Sequence, residues 1–302
     1  MKPLQGNNSP PSRPSPIKGE GVLCAPNSAR LRICPYNAGF TIVELVVTIV
    51  IIGILASLGG MFISRPMEGY VDLKRRTELI DQAETSLRRM QRDIRAALPN
   101  SIRTFDAGNG IEMLHVVDGG RYRRLPDDDG NGDVLDFTRL DDSFEVLGTL
   151  NHFNDIDNED LVVIYNLSAS GSTANAYIDG YGARIDKSTS NNSKVFFKDS
   201  HDFVYPSPYQ RFFIVDEAIS YKIEGSELRR YSGYAFNNVP GPDFGVSGAL
   251  VAKFIDPEKS YFEYNSGTAT RSGMVSMRIA LKDHASGEGI SLLNQVHVDN
   301  AP

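Results

Sequence analysis

Three groups of residues have the types and spacing for chemistry. Glu44 is the single charge in the run Phe40–Ile63, FTIVELVVTIVIIGILASLGGMFI. A carboxylate placed in hydrocarbon costs about 2.5–3.5 kcal/mol on insertion scales unless it finds a partner. Asp127, Asp129, Asn131 and Asp133, interleaved with Gly130 and Gly132, offer hard oxygen ligands at a spacing that suits Ca²⁺. The twelfth position of that loop is Thr138 where a bidentate Glu is needed, and Asp136 reaches the loop only by a different path. Calcium is therefore a weak candidate, no other cofactor is expected, and a solvated acidic turn is the ordinary reading. His115, His152, His201, His284 and His297 are far apart, with no HExxH pair. No GxSxG elbow, Walker loop or strand-borne GxGxxG occurs. No catalytic residue is assigned, and the chain is not expected to be an enzyme.

These residues need elements to position them. The Phe40–Ile63 run is 24 residues long and apolar on every face. About 20 helical residues cross a hydrocarbon core, so it reads as a transmembrane helix rather than a core helix or a signal peptide. Arg30 and Arg32 precede the span, while Arg65, Lys74, Arg75 and Arg76 follow it, so charge alone leaves its orientation open. Residues 1–39 are rich in Pro, Ser, Asn and Gly and carry a net charge of +4, against −11 for the rest. They read as a disordered processing segment. Both cysteines, Cys24 and Cys34, lie there, which excludes a disulfide framework or a catalytic thiol from the remainder. The acidic balance argues against nucleic acid as a partner.

After Pro66, Leu73, Ile80, Leu87 and Ile94 recur at sevens, with Ala83, Met90 and Ala97 beside them. This spacing predicts an amphipathic helix over 67–98, ended by Pro99, with a kink or loosening near Gly59, Gly60 and Pro66. Its arginines, Arg75, Arg76, Arg88, Arg89, Arg92 and Arg95, read as a solvated face. From Asn100 the period becomes two. Candidate strands are Ile111–Val117, Val134–Thr138, Ser143–Leu147, Leu161–Tyr165, Lys194–Lys198, Arg211–Val215, Ala218–Ile223, Glu227–Tyr231, Ser260–Tyr264 and Gly273–Leu281. Ala218–Tyr231 reads as a hairpin, and 168–193 as a long surface loop. Phe196, Phe197, Phe212, Phe213, Tyr261, Phe262 and Tyr264 read as core, with an adhesive surface as the alternative. The expected class is α+β. A long helix (transmembrane 40–63, amphipathic 67–98) is followed by a β-rich head over 99–302.

Gly39-Phe40-Thr41-Ile42-Val43-Glu44, at the start of such a span, resembles the class III signal of type IV prepilins. The segments ALPNSIR (97–103), DSFEVLGTL (142–150) and QVHVDN (295–300) look like minor pilin-like proteins of the mannose-sensitive haemagglutinin (MSHA) pilus biogenesis cluster, the MshO type. That type is related to the J-type minor pseudopilins of type II secretion. The resemblance implies a pilin-like fold, cleavage by a prepilin peptidase after Gly39, and N-methylation of Phe40. It implies that Glu44 meets the Phe40 amine of a neighbouring subunit and sets filament register. It also implies an inner-membrane start with a periplasmic head. Partners would be the bilayer, the assembly platform and sister minor subunits in a complex that initiates or caps the filament. This leader departs from the family pattern: it is long, and Pro35, Tyr36, Asn37 and Ala38 stand where a basic residue close to the cut is usual. A tip adhesin that binds a surface glycan or protein is the alternative, and a membrane-anchored periplasmic enzyme a more distant one.

Overall fold

The computed structural model describes residues 39–171, 173–235, 237–242, 246–267, 272–283 and 286–298, with backbone alone over 60–66. The expected leader through Ala38, with Cys24 and Cys34, and His284 lie outside the described residues. The chain divides into two compact units, Met1–Pro66 and Met67–Pro302. Helix α1, Ile42–Arg95, contributes to both. The loosening expected around Gly60 and Pro66 falls where side chains are not described.

In the second unit α1 buries Leu79, Ala83, Leu87, Met90 and Ile94. The stripe therefore starts at Leu79, on a spacing of three to four. Ala83, Leu87, Met90, Ile94 and Ala97 are buried as the spacing predicts, whereas Ile80 is half-buried and Leu73 is exposed, so the reading is corrected at its N-terminal end. A straight helix turns once per 3.6 residues, so a stripe at sevens drifts by only about 20° per heptad and stays on the buried face from Ala83 to Ile94. Each large apolar side chain buried this way contributes about 1.5–3 kcal/mol. The helix ends at Arg95, earlier than expected. The next residues pair with a strand instead: Leu98 donates its N–H to the Leu114 carbonyl at 2.8 Å, and the Ala96 carbonyl accepts from Val116 at 2.9 Å. Arg75 and Arg76, expected in solvent, reach Asp283 at 3.2 Å and Glu288 at 3.9 Å.

The strands are β1 (Arg103–Phe105), β2 (Gly110–Arg121), β3 (Asp141–Glu145), β4 (Leu161–Val163), β5 (Ala183–Arg184), β6 (Lys194–His201), β7 (Arg211–Glu224), β8 (Glu227–Tyr234), β9 (Ala249–Lys253), β10 (Tyr261–Asn265), β11 (Gly273–Lys282) and β12 (Gly289–Val298). All their pairings are antiparallel, and they form sheets of seven, three and two strands. Strand β7 is the spine of the largest sheet. It pairs with β2 along one edge and shares the other between β4 and β8. The two strands expected over 211–223 are this single strand. The register slips where Leu114 faces Ala218 and Val116 faces Val215, so Asp216 and Glu217 form a bulge. A bulge shifts the inward phase by one residue, which reads in sequence as a break. The β7–β8 hairpin turns through Gly225, at φ 58°.

Val134–Thr138 is not a strand. The Asp141 carboxylate accepts the Asp136 N–H at 2.7 Å and the Asp136 carboxylate accepts the Thr138 N–H at 2.8 Å, so side chains satisfy the backbone that a ladder would have used. Nor is 168–193 a surface loop. It carries β5 and buries Ala174, Asn175, Ala176 and Tyr177. Asn166 pins it by accepting the Ala176 N–H at 2.9 Å and donating to the Pro99 carbonyl at 2.8 Å. The fold is α+β, a long N-terminal helix with an antiparallel β-rich head.

One core lies between α1 and the strands β2, β7, β8, β11 and β12. A second joins β3 and β6 to the large sheet around Tyr122, Phe144, Phe197 and Phe212. A third holds Leu98, Leu114, Val163, Tyr177, Tyr231 and Tyr234. Of the aromatics expected as core, Phe197, Phe212 and Phe262 are buried, while Tyr261 is exposed.

Candidate functional site

The first unit carries the candidate site. Helix α1 begins one residue after Thr41, whose hydroxyl accepts the Glu44 N–H at 3.2 Å and whose carbonyl accepts the Leu45 N–H at 3.1 Å. Thr41 is thus the N-cap, and Glu44 stands at the third helical position. That is the Thr-x-x-Glu spacing of a capping box, a sequence signal the reading of Glu44 as a lone buried charge passed over. A carboxylate there also complements the positive end of the helix dipole. Among the described residues Glu44 has no ion-pair partner. Its side chain and those of Phe40, Ile42, Val43 and Leu45 are exposed.

From Ile42 to Gly59 the helix has a mean hydropathy of 2.6 over 18 residues, and none of that window is buried. Of the two hydroxyls inside it, on Thr48 and Ser57, that of Thr48 donates to the Leu45 carbonyl at 2.9 Å, the kind of bond that satisfies a polar group in an apolar solvent. By length and composition this is one helix able to cross a membrane. A Cβ built on Gly39 would meet nothing within 4 Å.

Among the described residues the head gathers none of the other candidates into a site. The Asp127 carboxylate accepts the N–H of Asp129 at 3.1 Å and of Asn131 at 2.6 Å, closing its own loop. Asp133 is taken by Lys194 at 2.9 Å and the Ser143 hydroxyl at 2.6 Å. Among the described residues no group of three or more His, Cys, Asp and Glu could hold a metal ion. His115 bonds Asp216 at 2.8 Å, and that carboxylate raises its pKa. His201 lies 3.3 Å from the Tyr181 carbonyl, and burial lowers its pKa.

Sequence reading missed the polar centre of the head. Glu112 and Arg103 are buried, with Nε and Oε2 2.6 Å apart. Tyr234 donates to the other Glu112 oxygen at 2.7 Å, and the Gly241 N–H reaches Oε2 at 3.2 Å. The remaining Arg103 donors go to the carbonyls of Ala169, Asn237, Asn238 and Val239, and its guanidinium stacks 3.6 Å over Tyr177. Burial and the Glu112 charge push the Tyr177 and Tyr234 phenols up, so both remain donors. This cluster is structural: it ties the segment after β8 to the sheet. At the start of β4, burial raises the Asp160 carboxyl to about 6, helped by the charges of Asp216 and Asp157.

With this geometry in view, the comparisons are brief. A family model described as the prokaryotic N-terminal methylation motif matches residues 34–59. No curated protein and no solved structure matches the chain. The motif, and the exposed apolar helix it heads, support a type IV prepilin-like character for this chain. Processing by a prepilin peptidase and assembly with other pilins are what such a motif implies.

Proposed function

We propose that the chain is a minor pilin-like subunit that helps to initiate or cap a type IV filament of the MSHA class, with a structural rather than catalytic role. The observation that carries this reading is the match over residues 34–59 to a methylation motif, placed on an exposed apolar helix with Glu44 in its first turn. A prepilin peptidase cuts after Gly39, and a methyl group is added to the new Phe40 amine, which keeps its charge. The helix holds the protein in the inner membrane with the head in the periplasm until extraction. In the filament, Glu44 meets the Phe40 amine of a neighbouring subunit. A charge that is costly in lipid then fixes register, because an unpaired carboxylate at any other stagger stays unsatisfied. The MSHA assignment rests on the sequence resemblance in the head and on its size.

The test is the N-terminal mass of the protein from cells with and without the peptidase. N-methylated Phe40 that depends on the peptidase is the expected result; an intact leader or a different cut refutes the reading. Gly39→Val should block processing completely. Since a side chain at Gly39 meets nothing in the fold, a mature-sized band from this variant would count against the cut site and not against folding.

A further inference from the structure

Strand β12 is an edge of its sheet: among the described strands it pairs with β11 alone. An edge leaves a row of backbone N–H and C=O groups open to another chain, and folded proteins blunt such rows with short strands, bulges, prolines or charges. The other edges of the described sheets are blunted. Strands β1 and β5 have three and two residues. Strand β9 is bulged opposite Leu228 and Arg229 and ends in Lys253. Strand β10 carries Glu263, β3 carries Asp141, Asp142 and Glu145, and β6 carries Lys194, Lys198 and Asp199. Strand β12 has none of these guards. It runs for ten residues, GISLLNQVHV, with no proline and no Lys, Arg, Asp or Glu. Its pairs with β11 follow one another from Gly289 to Val298 without a register shift. Ile290, Leu292, Val296 and Val298 face the core shared with α1, while Ser291, Leu293, Gln295 and His297 are exposed, Leu293 at 60%.

We infer that β12 docks on β12 of a second copy of this chain, antiparallel about a two-fold axis at Leu293, so that two three-stranded sheets join into one. The occupant of such an edge is itself an extended backbone, because only that answers a row of N–H and C=O groups at strand spacing. The sequence of β12 favours its own copy. A two-fold contact is isologous, so each residue meets a position of the same strand. With the axis at Leu293, Leu293 faces Leu293, Ser291 faces Gln295 and Gly289 faces His297 on the outer side. On the inner side Ile290 faces Val296, and Leu292 against Asn294 is the mixed pair. A charge on the axis would face its own copy, and like charges opposite each other destabilise a strand pair. An uncharged strand with its exposed leucine at the centre avoids that cost and covers the leucine. This surface belongs to the head; it goes beyond the assembly role and does not depend on it.

The experiment uses the full chain in detergent with Cys24→Ser and Cys34→Ser, which removes both native thiols. Leu293→Cys then sets a single thiol on the axis. Facing Cβ atoms in an antiparallel pair lie about 4.5–5.5 Å apart, and a disulfide needs about 3.5–4.5 Å. Copper–phenanthroline and air should therefore join two chains through the new thiol. Tyr261→Cys, on β10 at the far edge of the same sheet, should stay monomeric. Hydrogen exchange gives a second readout, because contact through the first helix stretch would not protect the head. In the parent, exchange of the β12 amides should slow as protein concentration rises. Leu293→Lys replaces an apolar pair by a repelling one and should weaken this association about tenfold or more. Its head should keep the parent's Tm, since the residue is exposed. Should it melt lower, the concentration dependence in the parent decides. As much dimer from Tyr261→Cys as from Leu293→Cys overturns the proposal, and so does exchange that ignores concentration. A cross-link in cells from the Leu293→Cys chain to a different protein, and none to itself, also overturns it and makes the edge a seat for another subunit.

Discussion

The two stretches of α1, Ile42–Gly59 and Leu79–Ile94, share a backbone conformation and differ in almost everything else. The first is apolar on all sides and buries nothing; the second buries one stripe and turns Arg88, Arg92 and Arg95 outward. Polar atoms show the same contrast. In the first stretch the hydroxyls of Thr41 and Thr48 are spent on the helix's own backbone, and Glu44 has no ion-pair partner among the described residues. In the head, a buried carboxylate such as Glu112 has three donors around it, from Arg103, Tyr234 and the Gly241 amide. The lesson is that the described polar groups of the head are satisfied within it, whereas the first helix stretch leaves its apolar surface and Glu44 uncovered.

That contrast breaks most visibly at its extremes. Arg103→Ala leaves Glu112 buried without its cation and strips donors from four carbonyls after Ala169 and β8. Losing one partner of a buried pair costs about 3–5 kcal/mol, so the head's Tm should fall by many degrees while membrane insertion is unchanged. Thermal melts and carbonate extraction of membranes check the two halves separately. A Tm within a degree or two of the parent would mean that the cluster is not the head's clasp. Glu44→Ala is the mirror image. The head's Tm and cleavage should not change, but assembled filament should fall about tenfold or more, since even 1.4 kcal/mol lost per contact is tenfold in each equilibrium. Unchanged filament yield would refute the register role and leave Glu44 as a capping-box and dipole residue.

How far the sequence announces each region follows from the range of the forces that shape it. The first helix is set by local composition, so Phe40–Ile63 is legible from hydropathy alone, and the Gly39-Phe40-Thr41 signal with it. The strands β2, β6, β8 and β11 are legible because their apolar residues alternate. Strand β7 was split because its bulge at Asp216–Glu217 inverts the phase. Strand β12 was missed because Leu292 and Leu293 adjoin, although Leu293 points to solvent and its neighbour inward. The stripe of α1 starts at Leu79 rather than at Leu73 or Ile80, because the 67–78 segment leaves Tyr70 and Leu73 exposed and meets the head through Arg75 and Arg76, on Asp283 and Glu288. The Arg103–Glu112 pair is non-local: its members are joined by sheet register, which no spacing rule carries.

A smaller effect sharpens the account of the head. Asp160 is titrated near 6 when folded, against an ordinary value of 3.8. A raised folded-state pKa means that the folded head holds this proton more tightly. The contribution is therefore present at low pH and is lost as pH rises from about 4 through 6. Asp160→Asn keeps an oxygen for the Asp157 N–H, 2.9 Å away, and removes the charge. The Tm difference between variant and parent should be small at pH 4 and grow in the variant's favour up to pH 7. A difference that is flat with pH would show that this carboxyl is not desolvated.

The smallest expected effect is none at all. Asp127 spends its carboxylate on the amides of its own loop and Asp133 is held by Lys194 and Ser143. The loop therefore already has the hydrogen bonds that a bound Ca²⁺ would have to replace, and it lacks the bidentate carboxylate that would repay the exchange. Removing calcium with a chelator should leave the head's Tm unchanged. A fall of several degrees, restored by added Ca²⁺, would mean that the loop rearranges around the ion, since a ligand that binds only the folded state stabilises it by mass action. The contrast between a self-sufficient head and a dependent helix would then have to be redrawn, with one loop of the head also waiting for a partner.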